Sequence, residues 1–194
     1  MFERFRPLVE KILNPIAKEL NIDPNLITVF SLIIASIAAL SFALNHLIIG
    51  GVLILLSGLL DVFDGAIARY HNKTTKFGAF LDSTTDRFSD ALIIIGLAAG
   101  GYTTWVLGAL AIHSSVMVSY VRASAESKGI PCTIGIGERA SRLIILMAGT
   151  FIATYIGEIY MSVAILILVF VAYTTVLQRI IHVWNWIQKP KNDE

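Results

Sequence analysis

Six apolar segments, each close to the roughly 20 residues a helix needs to cross a hydrocarbon core, follow one another along this chain with only short polar breaks between them. Backbone polar groups have no water to bond with inside a bilayer, so apolar runs of this length are satisfied only as helices. Composition agrees. Of the 194 residues 56% are hydrophobic and the mean hydropathy is +0.74, well above soluble domains, where apolar usage is about 45 to 50%. The expected fold is an all-α integral membrane protein of one domain. It comprises an N-terminal interfacial helix over 1–22, a bundle of six transmembrane helices over 23–186 and a polar tail over 187–194.

Local signals place the segments. Asp23-Pro24 offers an N-cap with proline at the first helical position, predicting a span from about 25 to 44. A second is expected from about 48 to 70, after Asn45-His46 and Gly50-Gly51, and a third from about 77 to 99, after the polar loop His71 to Lys76. Gly100-Gly101 turns into a fourth, which ends near Glu126. Residues 127–137, with Pro131 and three glycines, read as a loop. A fifth span from about Arg139 and a sixth ending near Trp184 divide around Gly157-Glu158. Before all of these, Phe2, Phe5, Leu8, Val9, Ile12, Leu13 and Ile16 recur at helical spacing among charged residues. That pattern predicts an amphipathic helix lying in the membrane interface or on the protein's own cytoplasmic face, and no cleavable signal peptide.

Net charge is +1, so no basic excess points to nucleic acid, and the single Cys132 excludes an intrachain disulfide. With six crossings, all fifteen Lys and Arg residues fall on one side or on the helix ends facing it. The positive-inside rule then makes this a multi-pass cell-membrane protein with both termini and the functional site cytoplasmic.

Two of the apolar segments carry acids. Asp61 and Asp64 are three residues apart, Asp82 and Asp86 four, so each pair projects from one helical face. Carboxylates at membrane depth are costly without a partner. Two such faces turned inward make a cage of oxygen donors, suited to Mg²⁺ or Mn²⁺ rather than Zn²⁺. Four negative charges would be balanced by two divalent ions, a device for displacement at phosphorus. Gly65, Ala68 and Gly78 clear the adjoining faces for a phosphate ligand or a second helix, and Arg69, four residues beyond Gly65, can reach a ligand lying over it. The competing reading, that the acids are helix caps or surface residues, fits one of them better than all four. His71, His113 and His182 lack companions at ligand spacing and read as packing residues, while Asp90 continues the acidic helix toward a supporting or surface position.

Asp61-x2-Asp64-Gly65-x2-Ala68-Arg69-x8-Gly78-x3-Asp82-x3-Asp86 fills every fixed position of the signature of the CDP-alcohol phosphotransferase family, which the chain resembles over its whole length. The resemblance implies transfer of a phosphatidyl-type group from a CDP-linked lipid to an alcohol with release of CMP, by a homodimer of six-helix bundles. It implies Asp61, Asp64, Asp82 and Asp86 as metal ligands, with Asp86 also the general base. Asn25, Thr28, Asp61, Gly65, Arg69 and Thr75 fall where the family holds the CDP-lipid; Pro24-Asn25-Leu-Ile-Thr28 resembles the start of the first span in these enzymes.

The acidic motif does not choose the alcohol. The stretches from Tyr120 to Gly129 and from Gly137 to Leu143 are similar to those of prokaryotic phosphatidylinositol-phosphate synthases, with Ala140 where a proline is usual and Arg122 where lysine is common. That likeness implies an acceptor-phosphate pocket of Arg122, Arg142 and Arg179 and makes inositol 1-phosphate the expected acceptor. A dianionic phosphate suits several guanidinium forks. The lipid would be CDP-diacylglycerol or, given the high Ile content and short loops, CDP-archaeol. Two readings compete: synthesis of phosphatidylglycerol phosphate from glycerol 3-phosphate, and an ion or proton-coupled transporter using its intramembrane acids. The second would favour paired helix breaks in two matching halves, and none is apparent.

Overall fold

The Asp23 carboxylate accepts the backbone N–H of Asn25 at 3.0 Å, and α1 (Pro24–Ala43) starts from that cap with Pro24 in its first turn. In this computed structural model, which describes residue 18 and residues 22–188, five further long helices follow. These are α2 (Leu47–Tyr70), α3 (Lys76–Ala99), α4 (Trp105–Glu126), α5 (Arg139–Ile156) and α6 (Ile159–Gln188). Of the expected N-terminal interfacial helix over 1–22, all residues but Lys18 and Ile22 fall outside those described.

The same device closes four of the helices. Asn45, Asn72, Gly101 and Gly129 adopt positive φ, and the next N–H in each case turns back to a carbonyl five residues earlier: His46 to Ser41, Lys73 to Ala68, Tyr102 to Leu97 and Ile130 to Ala125, at 2.8 to 3.1 Å. This is the Schellman arrangement, which satisfies carbonyls a helix end would leave unpaired. Thr75 and Thr104 cap the following helices, accepting from Gly78 N–H at 2.9 Å and Leu107 N–H at 3.2 Å.

Among the described residues, five helices, α1, α2, α4, α5 and α6, are long and apolar enough to cross a membrane by length and composition. The exception, α3, has 24 residues but carries Lys76, Asp82, Asp86, Arg87 and Asp90. Its charges, not its length, set it apart. Gly50-Gly51 stands inside α2 rather than before it, with both glycines buried, and α6 runs through Gln188, so the polar tail expected from 187 yields its first two residues to the helix.

The chain divides after Tyr102 into two compact units. In the first, α1 packs on α2 and α3. Contact is close enough that a Cβ on Gly96 would collide with the Ala39 backbone, and one on Gly50 with the Phe42 ring. Ser31 and Ser57 clasp α1 to α2, each hydroxyl 3.0 Å from the other residue's carbonyl oxygen, an economical way to pair helices in lipid, where small and hydroxyl residues drive association. In the second, α6 packs on α4 and α5. Ala172 and Val176 of α6 meet Val118 of α4, and Gly149 of α5 admits Ala164 of α6.

Candidate metal and phosphate site

Within the first unit the C-terminal half of α2 and the N-terminal half of α3 bring Asp61, Asp64 and Asp82 together: one carboxylate oxygen from each lies within 4.8 Å of the others. The spacing of three on α2 puts its two acids on one face, and α3 presents Asp82 to that face. A set of three carboxylate oxygens fits a hard divalent cation. Asp86, one turn further along α3, is not among the three; its Oδ2 lies 3.7 Å from Arg87 Nη1. The structure thus gathers three of the four acids into one group.

Asp64 is the deepest, only 5% exposed. Its Oδ2 lies 2.5 Å from the hydroxyl of Thr28, itself buried on α1. Thr28 was expected among the CDP-lipid contacts; here its hydroxyl is engaged with an acid of the cluster.

Beside the acids lies a cleft of about 150 Å³, bordered by Asn25 and Thr28 of α1, Asp64, Gly65 and Arg69 of α2, and by Thr75, Gly78 and Asp82. The glycines make the room. A Cβ on Gly65 would stand 3.1 Å from an Arg69 guanidinium nitrogen, so Arg69 folds back over the glycine as its spacing predicts. One on Gly78 would stand 3.1 Å from both Asn25 Oδ1 and Thr75 Oγ1. All the residues expected to hold the CDP-lipid therefore border this cleft, except Asp61, which reaches it only through the acid group.

Sequence reasoning did not single out Lys73 and Thr74, which line the same cleft. The signal was Asn72: its positive φ ends α2 in a turn that carries the next three residues back over the acids' side of the helix.

In the second unit Arg122, Arg142 and Glu138 lie within electrostatic reach of Arg179. Arg142 and Arg179 are 4% and 3% exposed. Arg142 donates through Nη1 to the Gly137 carbonyl at 2.9 Å. Arg179 donates through Nε to Ile134 O at 2.9 Å and through Nη1 to Val118 O. Exposed Arg122 donates to Glu126 at 2.8 Å. Membrane-anchoring arginines extend their heads into water, which the two buried ones do not. Thr175, which the sequence did not single out, and His182, read there as a packing residue, flank Arg179 on α6; Thr175 Oγ1 accepts the Gly137 N–H at 2.7 Å and His182 Nε2 lies 3.0 Å from Pro131 O, so that one stripe of α6 fastens the loop before α5.

Comparison with known proteins places this geometry. Residues 21–187 match the family model for CDP-alcohol phosphatidyltransferases, running through both units. The archaetidylinositol phosphate synthase of Methanothermobacter thermautotrophicus is 46% identical over 185 residues, 95% of each chain. Among solved structures, the phosphatidylinositol phosphate synthase of Mycobacterium tuberculosis with CDP-DAG bound superposes with a TM-score of 0.81 at 29% identity, covering 95% of this chain and 98% of that one. The same enzyme in complex with manganese and citrate gives 0.80 at 29% identity, covering 93% and 91%. A family model matched over residues 21–187, together with a relative 46% identical over 95% of the chain, makes this chain a member of the CDP-alcohol phosphatidyltransferase family.

Proposed function

We propose that the chain transfers a phosphatidyl-type group, on a diacylglycerol or archaeol backbone, from a CDP-lipid to a hydroxyl of inositol 1-phosphate, releasing CMP. The observation that carries this reading is the group of Asp61, Asp64 and Asp82 beside a cleft walled by Gly65, Arg69 and Gly78, in a chain 46% identical to an archaetidylinositol phosphate synthase.

Two Mg²⁺ or Mn²⁺ ions held by these acids, with Asp86 completing the set, would supply the positive charge that neutralises the diphosphate and the departing CMP. Arg69 grips the diphosphate over Gly65, while Asn25 and Thr75 border the nucleotide side. The acceptor oxygen forms a bond to the lipid-linked phosphorus as the bond from that phosphorus to the CMP oxygen breaks. The hydroxyl proton passes to the Asp86 carboxylate and from there to solvent. Arg122, Arg142 and Arg179 hold the phosphate of the acceptor. The lipid chains lie along apolar helix surface; a groove of about 530 Å³ lined by Leu26, Phe30, Leu60 and Phe63, on another face of α1 and α2, offers such a surface.

Six helices cross the membrane in this reading. Alternation supports counting α3 among them: the connections at 71–75 and 127–138 contain Lys73 and Lys128, whereas those at 44–46, 100–104 and 157–158 contain no Lys or Arg. The termini and the site are cytoplasmic, the chain acts as one catalytic domain, and the enzyme is a homodimer.

The test is CMP release by the purified protein with a CDP-lipid, Mg²⁺ or Mn²⁺, and inositol 1-phosphate, inositol, glycerol 3-phosphate or serine. Release only with inositol 1-phosphate, abolished by chelation, is expected. Preference for glycerol 3-phosphate would replace the acceptor, and no release with any alcohol would favour a transporter.

A further inference from the structure

The Thr28 hydroxyl has one proton and two acceptors within reach: Asp64 Oδ2 at 2.5 Å and the Pro24 carbonyl oxygen at 3.1 Å. The Pro24 carbonyl stands four residues before Thr28 in α1 and can accept the Thr28 backbone N–H within the helix. The carboxylate is the stronger acceptor, and 2.5 Å lies in the range of charge-assisted O–H···O⁻ bonds, about 2.5 to 2.7 Å. The proton therefore goes to Asp64.

Both partners are buried, and they are 36 residues apart on different helices. From this we infer that Thr28 is a positioning residue: its hydroxyl occupies one oxygen of Asp64, fixes the rotation of that carboxylate and turns the other lone pairs toward Asp61 and Asp82, so that α1, which contributes no acid to the cluster, sets the geometry of the metal site. The inference rests on the reading of that cluster as a cation site. Ligating carboxylates held by an outer hydrogen bond lose about 10- to 100-fold in metal affinity when the bond is removed.

The reading differs from a role in gripping the nucleotide. A nucleotide contact would leave metal binding intact in the absence of CDP-lipid; a positioning hydroxyl would not.

Mn²⁺ binding is measured by electron paramagnetic resonance on the full-length protein in detergent, without nucleotide, for the wild type, Thr28→Val, Thr28→Ala and Thr28→Ser, with Asp82→Asn as the control for the cluster. Thr28→Val keeps the shape and loses the proton; Thr28→Ala removes the hydroxyl without adding an atom and serves if the valine variant does not fold. The expected result is Mn²⁺ affinity lower by about 10-fold or more in both hydroxyl-less variants and within about 2-fold of wild type in Thr28→Ser. Raising Mn²⁺ to saturation should then restore the KM for CDP-lipid in the hydroxyl-less variants. Unchanged Mn²⁺ affinity in Thr28→Val or Thr28→Ala overturns the inference, as does an equal loss in Thr28→Ser, which would assign the effect to packing of the methyl group. Wild-type protein that binds no more Mn²⁺ than Asp82→Asn overturns the cluster reading itself, and this inference with it.

Discussion

Asp86 lies outside the group of three carboxylates, and the proposed reading makes it the base as well as a ligand. Taking up the acceptor's proton acts on turnover more than on capture of the lipid. Asp86→Asn should therefore keep CDP-lipid binding, measured by equilibrium binding in detergent, while turnover falls by about 10² to 10⁴, the usual contribution of a positioned base. The arginines carry a second residue-scale expectation. Arg142→Ala should raise the KM for inositol 1-phosphate by about 10-fold or more, since hydrogen bonds to charged groups contribute about 1.5 to 3 kcal/mol, and should change the KM for CDP-lipid far less. Because Arg142 also bonds the buried Gly137 carbonyl, the same variant should unfold at lower temperature, which thermal denaturation in detergent would measure. Equal loss toward both substrates would count against a dedicated acceptor pocket.

At the scale of elements, the turn at Asn72 links helix geometry to the site. A residue other than glycine or asparagine in the left-handed region costs about 1 to 2 kcal/mol, so Asn72→Ala should loosen the turn that carries Lys73, Thr74 and Thr75 into the cleft. We expect a raised KM for CDP-lipid in steady-state kinetics, with Asn72→Gly close to wild type. Helix limits were legible in the sequence because their signals are local: Asp23-Pro24 starts α1 within a residue of the expected place, and the acids at 61, 64 and 82 converge as their spacing on two neighbouring helices predicts. What could not be read depends on distant partners. The Thr28 bond to Asp64 spans 36 residues, and those of Arg179 to Ile134 and Val118 span 45 and 61. Periodicity tells which face of a helix is polar, but not which carbonyl or carboxylate another element will bring to it.

For the whole molecule, the alternation of connections with and without Lys or Arg makes a topological prediction. In sealed cells a membrane-impermeant thiol reagent should label Glu158→Cys and spare Lys128→Cys, with labelling of Lys128→Cys appearing only after permeabilisation; the buried Cys132 gives little background. The reverse pattern would invert the protein in the membrane. The longest element adds a further consequence. As a 30-residue helix, α6 is about 45 Å long at 1.5 Å per residue, against a hydrocarbon slab of about 30 Å. Counted from Ile159, Arg179 lies about 30 Å along it; with Ile159 at one edge of the slab and the helix upright, that is the level where the slab gives way to headgroups. A thicker host bilayer would draw that level past Arg179 toward Gln188, and the carbonyls Arg179 holds would be drawn with it. If these arginines hold the acceptor as proposed, membrane thickness, through lipid chain length, becomes a setting on how readily a water-borne polyol phosphate meets them.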